Sequence, residues 1–527
     1  MADLKALVAA LMQPDAYPER PQSVETVETH ISHIFLTGDY AYKVKKPVDF
    51  GFLDFTTLEK RRHYCQQEVL LNQRLSPDVY LGVVEIREAD GRYAIEGPGT
   101  TVEYAVKMRQ LPRERALTRL LQEGQVSQED IRGIARLVAD FHSRADTTPE
   151  IARLGGIEAV RQNTRENFDQ TIDQVGAAIS REQYDDLKAY TEAFLEVKES
   201  LFQERAQGGY IRDCHGDLHS AQIFMENGVS IIDCIEFNER FRYSDVASDI
   251  AFLAMDLDYH GRPDLSGVLA QEYVRVSGDV GVWDLLDFYK VYRAYVRGKV
   301  EGFRLSDSNL SQQERDNLLE RARRYFGLAH YYVEPLRGHA LFITAGLVGT
   351  GKTHVAAELA RRWGLEMISS DVVRKELAGI SPTEHRVEAF EGGIYGAEFS
   401  ARTYDEMLSR ARGYISRDKS VILDASFRRA EERLRAAGLA EKMGAYFAAL
   451  ECVAPETVVR ERLEERLRRE GEASDGRWEI YQQQKTAFEP LTELPEEKQI
   501  LVDTSHPEGE VIFRLVKDIF RSRLMSR

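Results

Sequence analysis

Gly346-Leu347-Val348-Gly349-Thr350-Gly351-Lys352-Thr353 spells G-x-x-x-x-G-K-T, and its setting decides how it is read. Ahead of it, Ala340-Leu341-Phe342-Ile343-Thr344-Ala345 has the apolar run of a buried strand. Behind it, Val355-Ala356-Ala357-Glu358-Leu359-Ala360 has the residues of a helix. In such a strand-to-helix turn, glycines let backbone N–H groups point inward at phosphates, and the helix N-terminus adds partial positive charge. Gly346, Gly349, Thr350 and Gly351 then form the cradle, Lys352 reaches the β- and γ-phosphates, and the Thr353 hydroxyl sits on Mg²⁺. The stretch predicts binding of a nucleoside triphosphate, ATP or GTP, together with Mg²⁺.

Outward from this loop, residues 339–527 alternate between strand and helix patterns. Strand candidates lie at 340–345, 366–370, 420–424, 445–453 and 499–502, with a last helix near 509–524. That alternation predicts an α/β domain with a parallel sheet and helices on both faces. The second strand candidate runs into Asp371, followed by Val372-Val373-Arg374. An acidic residue at a strand end points into the crevice where open α/β sheets bind ligands. Asp371 is therefore a candidate to take a proton from an acceptor hydroxyl. Arg374, one helical turn on, is placed to hold an anionic part of that acceptor.

The segment Tyr332-Val333-Glu334-Pro335-Leu336-Arg337-Gly338-His339 reads as a domain joint, which gives domains of 1–335 and 338–527. Within the first, about 20–112 is strand-rich, with strands at 24–36, 40–45, 83–88, 92–95 and 102–110 and one helix at 57–75; about 113–335 is mostly helical. The helical part is interrupted by an island at 211–233. It reads His215-Gly216-Asp217-Leu218-His219-Ser220-Ala221-Gln222, then Ile231-Ile232-Asp233. Two aspartates at the edges of short apolar runs suit phosphoryl transfer, in which one carboxylate accepts the hydroxyl proton and another holds the metal.

The island resembles the H-G-D-x-x-x-x-N motif and following metal-binding Asp of the aminoglycoside phosphotransferase and choline kinase group of protein-kinase-like enzymes. The resemblance implies that Asp217 is the catalytic base and Asp233 the metal ligand. It places Gln222, one methylene longer, where that group has Asn. Tyr40-Ala41-Tyr42-Lys43-Val44-Lys45 alternates, with Lys43 and Lys45 on one face. A kinase-like fold needs a strand lysine for the α- and β-phosphates and a helix Glu to hold it. Lys43 is the first candidate, Lys45 the alternate, and Glu68 the partner. The Gly-rich loop is reduced to Thr37-Gly38-Asp39, and Asp245 and Asp249 are expected to brace the catalytic loop.

The C-terminal half resembles the 5′-kinase module of phage polynucleotide kinase, and more broadly zeta toxins and gluconate kinases, in which D-x-x-R follows the second strand. By that resemblance Asp424, at the end of Val421-Ile422-Leu423-Asp424, helps organise Mg²⁺. It also implies that the arginine-rich segment 459–469 is a lid whose arginines close on the transferring phosphate. Arg462 and Arg466, four apart on one helix face, are the candidates. The whole chain resembles a bacterial two-domain family in which an aminoglycoside phosphotransferase-like domain precedes a P-loop kinase-like ATP-binding domain.

Composition bounds these readings. At 527 residues with 43% hydrophobic content, the chain suits a soluble protein of more than one core. No apolar run reaches the length of about 18 residues that a membrane span needs, and the apolar N-terminus reads as a short surface helix. Four cysteines without C-x-x-C spacing suit a reducing cytoplasm. The net charge is −17, yet residues 338–527 hold 29 Lys+Arg against 32 Asp+Glu, so the excess acid lies in the first domain. That balance favours a cationic acceptor there. The expected activity is phosphotransfer at two nucleotide sites. A small hydroxylated molecule would be the acceptor at the first domain, and a nucleotide, nucleic-acid end or sugar-type hydroxyl at the second. Two alternatives are a first domain reduced to a pseudokinase, and a nucleotide-gated switch. Asp371 and Arg374 speak against the switch, which needs no acceptor base.

Overall fold

The computed structural model describes residues 4–305, 310–333, 339–381, 393–468 and 478–526, the side chains of 466–468 excepted. The chain forms two compact units: Met1–Ala178 with Glu199–Tyr332, and Ile179–Lys198 with Val333–Arg527.

The first unit begins with a six-stranded antiparallel sheet. Its spatial order is Glu25–Glu28, Ser32–Leu36, Tyr40–Lys45, Thr100–Arg109, Tyr80–Ala89, Arg92–Ile95. Alternation along Tyr40–Lys45 builds both faces at once. Tyr42 and Val44 join Phe35, Val84, Ile86 and Ala105 on one face, covered by Leu7, Leu11 and Tyr17. The N-terminal helix Leu4–Leu11 is thus part of this core, where the sequence suggested a surface helix. Ala41 joins Cys65, Tyr80, Val106 and Met108 on the other face, under the helix Leu58–Asn72. The single strand expected at 24–36 is a hairpin, because Thr29 closes a turn: its N–H donates to Ser32 O at 2.9 Å, and its Oγ1 accepts from Ser32 N at 3.0 Å. A helical lobe from Leu117 to Val333 follows, carrying the small strands Ile211–Asp213, Ile223–Met225 and Val229–Ile231. This is the two-lobed protein-kinase-like architecture.

The second unit is a five-stranded parallel sheet, ordered Glu366–Ser369, Val421–Asp424, Ala340–Ala345, Tyr446–Val453, Gln499–Asp503. The strand before the phosphate loop is central and wholly buried, as its continuous apolar run requires. Leu341 and Ile343 face a core with Ile368, Leu423 and Ala449. Phe342 faces the opposite side, against Trp363 and Tyr446.

That opposite layer includes a helix from the first half of the chain. Arg181–Val197 lies against Glu508–Met525, with Tyr190 edge-on to Phe520 at 5.6 Å. Arg362 donates from Nε (2.9 Å) and Nη2 (2.7 Å) to Asp186 Oδ1, both side chains being almost completely buried. The sequence reading placed all of 1–335 in the first domain, and this helix departs from it. An amphipathic pattern fixes which face is buried but not which sheet buries it. Asp186→Ala leaves a buried guanidinium without its anion and is expected to cost about 3–5 kcal/mol. Denaturant unfolding of the full chain, followed through nucleotide binding at the phosphate loop, measures this. A loss below about 1 kcal/mol would mean that the pair behaves like an exposed one. No described helix is long and apolar enough to cross a membrane.

Candidate active sites

In the first unit the turn His215-Gly216-Asp217 is fixed from behind. Asp249 accepts the N–H groups of His215 (2.7 Å) and Gly216 (2.9 Å). Arg293 Nη1 donates to Gly216 O at 2.8 Å. Gly216 has φ +84°, and a Cβ there would meet Phe241 O at 2.9 Å, so both backbone and space require glycine. His215 Nε2 lies 3.0 Å from Ile232 O and must donate to it, which leaves Nδ1 to accept the Asp217 N–H at 3.3 Å. Burial lowers the His215 pKa and so favours this neutral form. Asp249 braces the loop as expected. Asp245 does not: it caps the helix Val246–Tyr259 and pairs with Arg205 at 2.5 and 2.7 Å.

The expected residues of this unit meet at one point. Gln222 Nε2 donates to Asp217 Oδ2 (3.4 Å) and Asp233 Oδ2 (3.1 Å). Asp233 Oδ1 takes Lys43 Nζ at 2.5 Å, and Lys43 also reaches Glu68 Oε1 at 2.8 Å. Asp233 is held with φ +64°, its N–H donating to Tyr80 Oη at 3.1 Å. Burial works against the Lys43 ammonium, but Asp233, Glu68 and Glu236 outweigh it and hold its pKa well above the usual value. Burial likewise opposes the Asp217 carboxylate. His219, 3.4 Å away, with Arg297 and His215, more than compensates and holds its pKa well below the carboxylate range.

Lys45 is fully buried between Glu68 (2.7 Å) and Glu236. Of the two candidate lysines, Lys43 therefore stands at the aspartates and Lys45 holds Glu68 from behind. Glu236 was missed in the sequence; an acidic residue three beyond Asp233 was the available signal. A single amide nitrogen bonding two carboxylates marks a point of converging negative charge, so Asp233 and the Gln222 amide beside Asp217 fit a divalent cation. The reduced Gly-rich loop is a tight turn in which Gly38 N–H donates to Gln110 Oε1 at 3.0 Å.

In the second unit, Gly346 has φ +129°, and a Cβ on it would lie 2.4 Å from Cys452 O. Its N–H donates to Ser426 O at 3.1 Å. Lys352 Nζ donates to Leu347 O at 2.6 Å within the loop. Val348 N–H is taken by Gln484 Oε1 at 2.8 Å. The Thr350 hydroxyl turns inward to Leu347 O at 2.8 Å, so that residue shapes the loop through its side chain. The strand register pairs Ser369 with Asp424, which brings the strand ends before Asp371 and at Asp424 side by side. Burial raises the Asp424 pKa, Lys352 and a hydrogen bond from Thr353 oppose the rise, and the charge of Asp371 adds to it. The Thr353 hydroxyl and the Asp424 carboxylate beside the loop are hard oxygen donors that fit Mg²⁺.

The two candidate arginines with described side chains are each engaged within the protein. Arg374 donates from Nη1 to Ile394 O (3.1 Å) and Ser400 Oγ (3.2 Å) and lies over the Tyr395 ring at 4.7 Å. Arg462 is held at the turn after the last strand. It donates to Thr504 Oγ1 (2.9 Å) and Thr504 O (2.7 Å), because the turn after the last strand offers both acceptors. There it lines a cavity of about 390 Å³ with Gly349, Gly351, His354, Thr504 and His506. The Arg466 side chain and the segment 469–477 lie outside the described residues.

Fold and sites together define a protein-kinase-like two-lobed domain joined to an α/β P-loop domain. A family model described as an AAA domain matches residues 341–491. Over 471 residues, 88% of this chain and 90% of the other, the sequence is 32% identical to the uncharacterized protein Rv2004c of Mycobacterium tuberculosis. It matches the corresponding Mycobacterium bovis protein to the same extent. The chain belongs to the family of these mycobacterial proteins. Among solved structures, the chain is similar to a choline/ethanolamine kinase family protein from Mesorhizobium loti (11% identity, 62% of this chain and 99% of that one, TM-score 0.37). It is also similar to a gluconokinase from Sinorhizobium meliloti (18% identity, 35% and 93%, TM-score 0.26).

Proposed function

We propose that the chain is a phosphotransferase with two nucleotide sites, each moving the γ-phosphoryl of ATP or GTP to an alcohol. The observation that carries the reading is the meeting of Lys43, Asp217, Gln222 and Asp233 in one unit, while the other unit holds a separate phosphate loop. In the first unit Lys43, positioned by Glu68, holds the nucleotide phosphates. Asp217 accepts the acceptor's hydroxyl proton as the new O–P bond forms and the bond to the β,γ-bridging oxygen breaks, releasing the nucleoside diphosphate. In the second unit Lys352 and the loop N–H groups bind the phosphates, and Asp371 plays the part of Asp217. Asp233 with Gln222, and Thr353 with Asp424, would hold Mg²⁺, which when bound neutralises developing charge on the phosphates.

The cavity beside Gly349 and Gly351 opens next to the phosphate cradle, and its size suits the nucleoside portion of the same ligand. Arg462 is then a nucleoside-side residue. The acceptor at the second unit is a nucleotide, nucleic-acid end or sugar-type hydroxyl, and the setting is cytoplasmic.

Gln222 in place of Asn and the engaged Gly38 N–H favour a second reading, in which the first unit recognises substrate without catalysing. Calorimetry of the full chain separates the two. The leading reading expects two nucleotide equivalents, one removed by Lys352→Ala and the other weakened by Asp233→Ala. A single equivalent abolished by Lys352→Ala leaves only the P-loop unit as a kinase.

A further inference from the structure

Arg293, which holds Gly216 O, lies on the helix Val282–Arg304, and one turn further along the same helix stands Arg297. The face that touches the His215–Asp217 turn therefore carries a second guanidinium. Its support is a ladder of planar groups. Arg297 lies over the Tyr325 ring at 5.4 Å. Tyr325 stacks on Tyr259 at 3.9 Å with 9° between the planes. Arg324 closes the far side of Tyr259 at 4.4 Å and donates to its backbone O at 3.3 Å. A guanidinium stacked in this way is held in one orientation before any ligand arrives.

The anions around Arg297 are already engaged. Its nearest paired carboxylate, Glu301, stands at 3.9 Å and is shared with Arg321 (3.0 Å) and Arg304 (3.6 Å). Asp256 accepts Ser220 N–H at 2.8 Å. Arg297 Nε is buried and has no hydrogen-bond partner among the described residues. Arg297 is also one of the cations that keep Asp217 ionised. Amid the acidic groups around Asp217, Arg297 thus places a fixed cation beside the base.

We infer that Arg297 reads the acceptor of the first unit, and that this acceptor carries an oxyanion, carboxylate or phosphate, close to the hydroxyl that Asp217 deprotonates. A cationic acceptor would face Arg297 with like charge; an oxyanion would supply the acceptor that its Nε lacks, the side chain's hydrogen bond to Tyr325 leaving that atom unpartnered. This rests on the phosphotransferase reading and is the opposite of the cationic acceptor that net charge suggests.

The test uses the full chain carrying Lys352→Ala, so that only the first unit transfers label from γ-labelled ATP with Mg²⁺. Four acceptors on one three-carbon frame separate the chemistries: glycerate, glycerol 3-phosphate, glycerol and 3-amino-1,2-propanediol. Labelling, or calorimetric binding in the presence of a non-hydrolysable ATP analogue, is expected for glycerate or glycerol 3-phosphate, and whichever responds identifies the oxyanion. Losing a charged hydrogen bond by Arg297→Gln should raise KM, or Kd, about 10–100-fold, with a smaller rise for Arg297→Lys. Preference for glycerol or the amine overturns the inference. So does an unchanged constant in Arg297→Gln, or neither anion being labelled or bound. If the Lys352→Ala chain binds no nucleotide at all, the two-site reading fails instead, and anion binding measured without nucleotide still decides the role of Arg297.

Discussion

Asp217→Asn leaves nucleotide binding by the first unit in place and lowers its phosphoryl transfer about 10²–10⁴-fold, the usual worth of a positioned general base. The variant keeps the turn, because what holds the turn is backbone: Asp249 on the His215 and Gly216 N–H groups, and Arg293 on Gly216 O. It also keeps Lys43, Glu68 and Asp233, which make no use of the Asp217 carboxylate. What it removes is the one acidic group of the loop whose side chain is a third exposed and open to an incoming hydroxyl. Asp233→Asn is expected to behave differently, weakening Mg²⁺-dependent nucleotide binding as well as transfer. Because His219, Arg297 and His215 hold the Asp217 pKa below the ordinary carboxylate value, the base stays ionised as pH falls through the usual titration range of about 4. The acid limb of its transfer rate should therefore lie below that range. Labelled ATP and the Lys352→Ala chain give both measurements. Full transfer by Asp217→Asn in that background would remove Asp217 from the mechanism.

The sequence revealed what is local in the chain or set by strand ends. The phosphate loop is contiguous, so its residues and their order carry the geometry. Asp371 and Asp424 were legible because a parallel sheet puts the carboxyl ends of its strands on one edge. Lys43, Lys45 and Glu68 followed from strand alternation together with the strand lysine and helix glutamate that a kinase-like fold needs. What was not legible depends on partners distant in sequence. Thr29 turns one strand-like stretch into a hairpin through its side chain. Glu236 claims Lys45 from nearly two hundred residues away. The helix Arg181–Val197 chooses the second sheet by shape. Arg462 was named by the lid resemblance and helix spacing, and neither could show that Thr504 offers it two acceptors. Arg297 had no motif to announce it; only the pairing of Arg293 with Gly216 O shows which face of its helix meets the catalytic turn.

Asp371→Asn should lower acceptor phosphorylation by the P-loop unit about 10²–10⁴-fold while leaving slow hydrolysis to water largely intact. The helix Ser370–Leu377 begins where the strand Glu366–Ser369 ends, so Asp371 sits in its first turn, beside the strand end that bears Asp424. Asp424 is the nearly buried member of the two and bonds Thr353, which suits it to the metal. Asp371 is the more open one, which suits it to a mobile acceptor. Burial is the main cause that raises the Asp424 pKa, and replacing Asp371 with Asn removes a smaller push in the same direction, so binding of the Mg²⁺–nucleotide is expected to survive. Transfer and hydrolysis then separate, because an acceptor base serves only the acceptor. Arg374→Ala should act mainly on the acceptor KM, by removing binding shared by ground and transition states. Its bonds to Ile394 O and Ser400 imply that the segment leading into the helix Ala397–Ile415 is positioned by the same guanidinium. The measurement is a full chain carrying Asp217→Asn, so that label transferred to a 5′-hydroxyl oligonucleotide or gluconate comes from the P-loop unit alone. Equal losses of hydrolysis and transfer, or no loss of either, would mean that Asp371 serves the nucleotide and not the acceptor. The P-loop unit would then be a nucleotide-driven switch, with Asp371 and Asp424 as a pair acting on the metal.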